Sequence, residues 1–275
     1  MSYGFQALDA AGRLLLSDRV GAYGYRGRYV AEETPNYSSD LACGAADSMT
    51  VSLKAGSGNW RVIVPKSVSA SPPLPMFELP THPNGCGWSG FNDNGTHWTL
   101  FFLANVQPVV HVFSLFTDDQ RATVGSGLQV FDSNARLTFD SLGRQPLQLL
   151  RTPLGYSQPA FGRTYQGVGP SWSTVNALNN TTIDPGVTLP AVVLCAGSAL
   201  WETICEPDTS DGSGKTVEGE LYNTWWRLLG RSGNTIHSFA YQYRNCVNSG
   251  GWLYPFLSPR NFTGQLMLAD RSLYP

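Results

Sequence analysis

The run Gly212-Ser213-Gly214-Lys215-Thr216 has the small residues, the lysine and the hydroxyl that cradle phosphate in a nucleotide-binding loop. Such a loop needs another glycine five residues ahead of its second one, and Thr209 stands there. The following Val217-Glu218-Gly219-Glu220 does not open a helix whose amide dipoles would hold an anion, so the run reads as a surface loop. Nearby, Glu202, Glu206, Asp208 and Asp211 offer the two carboxyls of a glycan-cleaving site, one to protonate the leaving oxygen and one to attack or activate water. Yet Pro207-Asp208 followed by small residues is ordinary turn chemistry, and a solvated loop is the better reading.

Imidazole and thiolate suit zinc, and His82, Cys86 and His97 fall within sixteen residues of one another. Their spacing matches no familiar structural zinc site and a fourth ligand is not evident, so no metal is assigned. The flanks of Ser157 and Ser198 do not spell the Gly-x-Ser-x-Gly elbow of a hydrolase. His111 and His237 occupy matching places in two similar segments, which favours a structural role. The expectation is a protein without catalytic residues or cofactor. Recognition is better represented: Trp88 and Phe91, Tyr165 and Trp172, and Trp252 and Tyr254 sit in Gly/Ser/Asn-rich stretches. Aromatics carried by small-residue loops offer large contact areas at low entropic cost, and they also stack on sugar faces. These six are the candidate interface or receptor residues, the alternative being that they plug the ends of β-sandwiches.

The elements that would carry them are strands. Of the 275 residues only 14% are charged, against about 25% in an average globular protein, while Gly and Pro number 29 and 18. This is a turn-rich, strand-rich profile, and so little charge fits either a surface partly covered in an assembly or a rigid β protein with neutral polar loops. A net charge of −2 without a basic cluster excludes the electrostatic footprint of a nucleic-acid binder. The opening Met1-Ser2-Tyr3-Gly4-Phe5-Gln6 shows no secretory signal, and the apolar stretch 98–116 is interrupted by Asn105, Gln107, Pro108 and His111, so no membrane span is expected. Five cysteines at irregular spacing argue against a disulfide framework and for reduced, mostly buried thiols.

Strand patterns predict hairpins at 49–53 with 60–65, at 98–103 with 109–116 around the connection 104–108, and at 221–229 with 235–243 around Gly230-Arg231-Ser232-Gly233-Asn234. The stretch 67–75 is too rich in proline for a central strand and reads as an extended loop. Residues 265–271 read as an edge or closing strand.

One hairpin is written twice. Gly4-Phe5-Gln6-Ala7-Leu8-Asp9-Ala10-Ala11-Gly12-Arg13-Leu14 aligns without gaps with Gly127-Leu128-Gln129-Val130-Phe131-Asp132-Ser133-Asn134-Ala135-Arg136-Leu137. Gly12 is suited to a left-handed turn residue; in the second copy, where Ala135 replaces it, Asn134 is the better candidate for positive φ. A second match supports the duplication: Val110-His111-Val112-Phe113 resembles Ile236-His237-Ser238-Phe239, each preceded by a tryptophan-containing apolar segment. The expected fold is all-β: two tandem β-sandwich-like modules related by internal duplication, residues 1–122 and 123–275, with little helix.

The repeated hairpin resembles one that opens tail-tip and baseplate-region proteins of long-tailed bacteriophages. Tyr3-Gly4-Phe5-Gln6 with Gly12-Arg13-Leu14, and Gly127-Leu128-Gln129-Val130-Phe131-Asp132 with Arg136-Leu137-Thr138-Phe139-Asp140-Ser141, carry the likeness. The first copy departs from the pattern after Leu14 and the second lacks the turn glycine. The resemblance implies a non-enzymatic virion protein of the tail, made in the bacterial cytoplasm. Its implied partners are copies of itself, other tail or baseplate proteins and, through its loops, a host cell-surface receptor.

Overall fold

A computed structural model of the chain describes residues 6–8, 14–17, 22–35, 58–116, 127–141, 145–150, 153–158, 180–207, 219–249 and 262–275. The first half holds β1 (Gln6–Leu8), β2 (Leu14–Ser17), β3 (Tyr23–Val30), β4 (Glu32–Glu33), β5 (Trp60–Pro65), β6 (Leu74–Glu78), β7 (Cys86–Asp93), β8 (His97–Ala104) and β9 (Val109–Leu115). The second holds β10 (Gln129–Phe131), β11 (Leu137–Asp140), β12 (Leu154–Gln158), β13 (Thr181–Ile183), β14 (Val193–Ala196), β15 (Leu200–Pro207), β16 (Gly219–Ser232), β17 (Thr235–Ser249) and β18 (Phe262–Asp270). A 3-10 turn spans Arg271–Leu273, and no α-helix occurs among the described residues. The protein is all-β and sandwich-like.

Two large antiparallel sheets form the body. One runs β12-β18-β14-β6-β9-β3; the other runs β13-β17-β16-β7-β8-β5-β4, with β15 paired to β16. Alternation along the strands decides what faces what. Val62 and Val64, Leu100 and Phe102, and Leu229 and Ile236 from the second sheet pack with Phe77, Val110 and Val112, Val193 and Cys195, and Leu266 and Leu268 from the first. The opposite face of the six-stranded sheet is also covered. There Met76, Phe113, Leu194, Ala196 and Ala269 pack with Tyr274, which is fully buried.

The boundary near residue 123 does not divide these sheets. Each combines strands from residues 1–122 with strands from 123–275, and the core between them draws on both halves. Two separate sandwich cores are therefore not what the described residues form. The predicted hairpin of 98–103 with 109–116 is corrected in the same way: β8 pairs with β5 and β7, whereas β9 pairs with β3 and β6. The connection 104–108 instead crosses from one sheet to the other, a gap of about 10 Å. It is held by Gln107 Nε2, which donates to the Ala31 carbonyl at 2.9 Å, and by the Ala31 amide, which donates to Pro108 at 2.9 Å. His111 and His237 accordingly lie in different sheets, on β9 and β17.

Two further strand assignments change. Residues 265–271 are not an edge: β18 is flanked by β12 and β14. Part of the proline-rich stretch is a strand, since β6 begins at Leu74 and lies between β9 and β14. Its proline is tolerated because β14 pairs only with Phe77 and Glu78, beyond Pro75. The hairpin predicted around 230–234 forms as β16 and β17, turning through Gly233 and Asn234 between the paired Ser232 and Thr235. Of those two turn residues Gly233 alone has positive φ, at 56°, as a type II′ turn requires. For the hairpin predicted from 49–53 with 60–65, residues 49–53 lie outside the described residues.

The strands of the two similar segments pair in matching register. β1 and β2 pair as Gln6 with Ser17, Ala7 with Leu16 and Leu8 with Leu14, with a register shift after Ala7. The same offset that carries Gly4 to Gly127 turns these into the pairs Gln129 with Asp140, Val130 with Phe139 and Phe131 with Leu137, with the shift after Val130. In the second hairpin the left-handed residue is Ala135, φ 59°, rather than Asn134. Asp132 explains this: its Oδ1 accepts from the amides of both Asn134 and Arg136 at 2.9 Å, and Arg136 Nε donates to Oδ2 at 2.8 Å. Satisfying both amides fixes the turn around the alanine.

Candidate functional site

Of the six aromatic candidates, Trp88 and Phe91 lie on β7; Tyr165, Trp172, Trp252 and Tyr254 lie outside the described residues. β7 carries a bulge between Trp88 and Gly90, where the register against β8 skips Ser89. Gly90 takes φ 147°, and its carbonyl accepts from the Trp88 indole Nε1 at 2.9 Å. The extra residue re-aims the strand. Trp88 pairs with Phe102 and Phe91 with Leu100, both core residues, so the two rings are carried on the inner side of the sheet at its margin. Their planes lie within 6° of parallel with centroids 6.4 Å apart, and Phe91 meets Trp98 edge-on at 5.7 Å. Trp88 is half-buried against the core, while Phe91 keeps 39% of its surface exposed.

The rim of this aromatic surface is polar and ordered by local hydrogen bonds. Lys66 Nζ stands 4.5 Å over the Trp98 ring and 2.8 Å from the Asp93 carboxylate. Asp93 also accepts from the Gly95 amide at 2.8 Å, closing the turn between β7 and β8. Together these bonds hold the Asp93 carboxyl below the ordinary carboxylate range, the lysine contributing most. Asn94 Nδ2 donates to Thr99 Oγ1 at 2.7 Å and lies 3.2 Å from His97 Nε2. The aromatic face is thus rimmed by a lysine, a carboxylate and a side-chain amide, so flat apolar area lies beside directional polar groups.

The zinc-like trio of the sequence is not brought together. Cys86 is buried in the core between the sheets and His97 opens β8, whereas His82 lies beside His237, centroids 4.8 Å apart. Among the described residues no group of three or more His, Cys, Asp or Glu is placed to hold a metal ion. Cys86 and Cys195 are both buried and free. Burial pushes both thiols far above their usual pKa, with Cys195 adding to the rise at Cys86. Glu202 and Glu206 lie on β15, and Asp208 and Asp211 lie outside the described residues, as does the Gly212–Thr216 run.

A second polar cluster had no signal in the sequence because its members come together only through sheet pairing. On the outer side of the six-stranded sheet, His111 Nε2, Arg28 Nε and Arg271 Nε lie 3.2, 3.3 and 3.8 Å from Glu78 Oε1. Tyr25 stacks on His111 at 5.7 Å, and its hydroxyl donates to the Pro275 carbonyl at 2.6 Å. His111 is fully buried, and desolvation lowers its pKa although Glu78 opposes the shift. These contacts tie β3, β6, β9 and the end of the chain together, which is structural work.

No helix among the described residues is long and apolar enough to cross a membrane. No family model, curated protein or solved structure matches this chain.

Proposed function

We propose that this chain is a non-enzymatic bacteriophage virion protein of the tail tip or baseplate, serving assembly and presenting a binding surface toward partners or the host. The observation that supports it most is the doubled hairpin. The two segments that resemble the opening of phage tail proteins adopt one register and one bulge position. A motif retained in sequence and in pairing is under a geometric demand, and a non-catalytic hairpin meets such a demand by fitting against something. In this chain the second hairpin is anchored by its Thr138 carbonyl, which accepts from the Ala22 amide at 2.9 Å, and by Phe139, which packs on Phe116 at 5.7 Å.

Immunogold labelling of purified virions tests the reading. Gold at the tail tip or baseplate is the expected result, and virions that carry neither label nor peptides of this chain by mass spectrometry refute it.

A carbohydrate-binding function is the second reading, favoured by the near-parallel Trp88 and Phe91 rings on an exposed margin. Glycan-array binding that disappears in Trp88→Ala and Phe91→Ala is the expected outcome. Absence of any glycan signal at high protein concentration removes it.

A further inference from the structure

Segment 80–84 runs beside the end of β16, where Thr81 bridges Arg231, held by the His82 amide donating to the Arg231 carbonyl and the Arg231 amide donating to Pro80, each at 2.8 Å. Residue 230, paired with His237 across the hairpin, makes this close approach possible. A Cβ on Gly230 would fall 2.3 Å from the Asn84 carbonyl oxygen, a position that backbone cannot vacate cheaply. With no side chain at 230, the His82 ring comes to rest 4.8 Å from His237 and 4.9 Å from Phe239, meeting the phenyl ring edge-on.

Two imidazoles in this arrangement leave one feature unexplained. His237 Nε2 is buried and has no hydrogen-bond partner. A buried ring nitrogen without a partner, beside a second imidazole, points to a ligand shared by the two rings. Nitrogens held about 2.0–2.1 Å from one ion at a tetrahedral angle place their ring centroids roughly 5 Å apart, close to the separation seen. We propose that His82 and His237 form a two-imidazole site for a borderline divalent transition-metal ion of the nickel or zinc class, with water completing the coordination. The site owes nothing to the virion reading and stands or falls separately from it.

Nickel titration of the full chain at pH 7.5, followed by calorimetry and by paramagnetic broadening of histidine ring signals, tests the proposal. One ion per chain is expected at this site, with the His82 and His237 signals broadening before those of His97 and His111. His82→Ala and His237→Gln should each weaken uptake at least tenfold, while His97→Ala leaves it unchanged. His82→Ala is the deciding variant, because residue 82 lies outside the strands and its loss leaves the β16–β17 pairing intact. Absence of saturable uptake up to millimolar nickel, binding unchanged in His82→Ala, or first broadening at His97 overturns the assignment.

Discussion

Replacing Tyr274 tests the packing of the six-stranded sheet most directly. Its side chain is fully buried, meets Phe113 edge-on at 4.9 Å and packs against Tyr25 at 5.4 Å. Its hydroxyl accepts from the Gln148 amide at 2.7 Å and lies 3.3 Å from the Pro146 carbonyl, to which it donates. Truncating a buried aromatic to alanine costs about 3–5 kcal/mol. Tyr274→Phe keeps the ring and loses only the hydroxyl, leaving the Gln148 amide without its acceptor, for about 1–2 kcal/mol. Against a total stability of about 5–15 kcal/mol, the alanine variant should lose a large fraction of it and the phenylalanine variant a small one. Urea unfolding followed by tryptophan fluorescence measures both as shifts in midpoint at unchanged slope. An alanine variant within about 1 kcal/mol of the parent, or a phenylalanine variant as damaged as the alanine one, would refute the packing described on this face.

Ala135→Gly should stabilise the protein by about 0.5–1 kcal/mol, because relief of a left-handed alanine outweighs the entropy glycine adds to the unfolded chain. Thermal melting reads it, and a lowered Tm contradicts the turn geometry. Cys86 and Cys195 should resist thiol labelling in the native protein and react after unfolding, since burial raises both pKa values. Peptide mapping after alkylation decides between these, and native-state labelling at either position would contradict their burial. Asp93 should titrate below the ordinary aspartate value of about 3.9. With its folded pKa depressed, its contribution is complete above the unfolded value and is lost as pH falls through the folded one. A carbon-detected NMR titration locates the midpoint, which Lys66→Ala should raise. His111, depressed by burial, likewise favours the fold above about pH 6.5 and loses that contribution as the solution is acidified. A titration of its ring signals that lies above pH 6.5 would contradict the desolvated site.

What the sequence made legible was local. The doubled hairpin could be aligned from Gly4 and Gly127, and Gly233 marked the β16–β17 turn, because both signals lie within a few residues of the structure they specify. The β8 and β9 segments were legible as strands but not as members of different sheets. Both are almost wholly buried, and a continuous apolar run does not say which neighbour covers which face. The same limit applies to Pro75 and to β18. Whether a strand is central or peripheral is decided by partners far along the chain, and the tolerance of Pro75 depends on how far β14 extends. At the candidate surface, Trp88 and Phe91 stood out as loop-type aromatics, yet a bulged strand carries them. The pairing of His82 with His237 left no trace in the spacing, since a glycine on a third segment creates it.

Because β6 is flanked by β9 on one side and β14 on the other, the six-stranded sheet stays unfinished while the chain is being synthesised. The early strands leave the ribosome with bare apolar faces and unsatisfied edges until β14 and β18 arrive, and closing loops of that length is slow. A polypeptide cut within 117–126 should therefore yield two sticky halves that recover solubility only when produced together, each supplying the strands the other lacks.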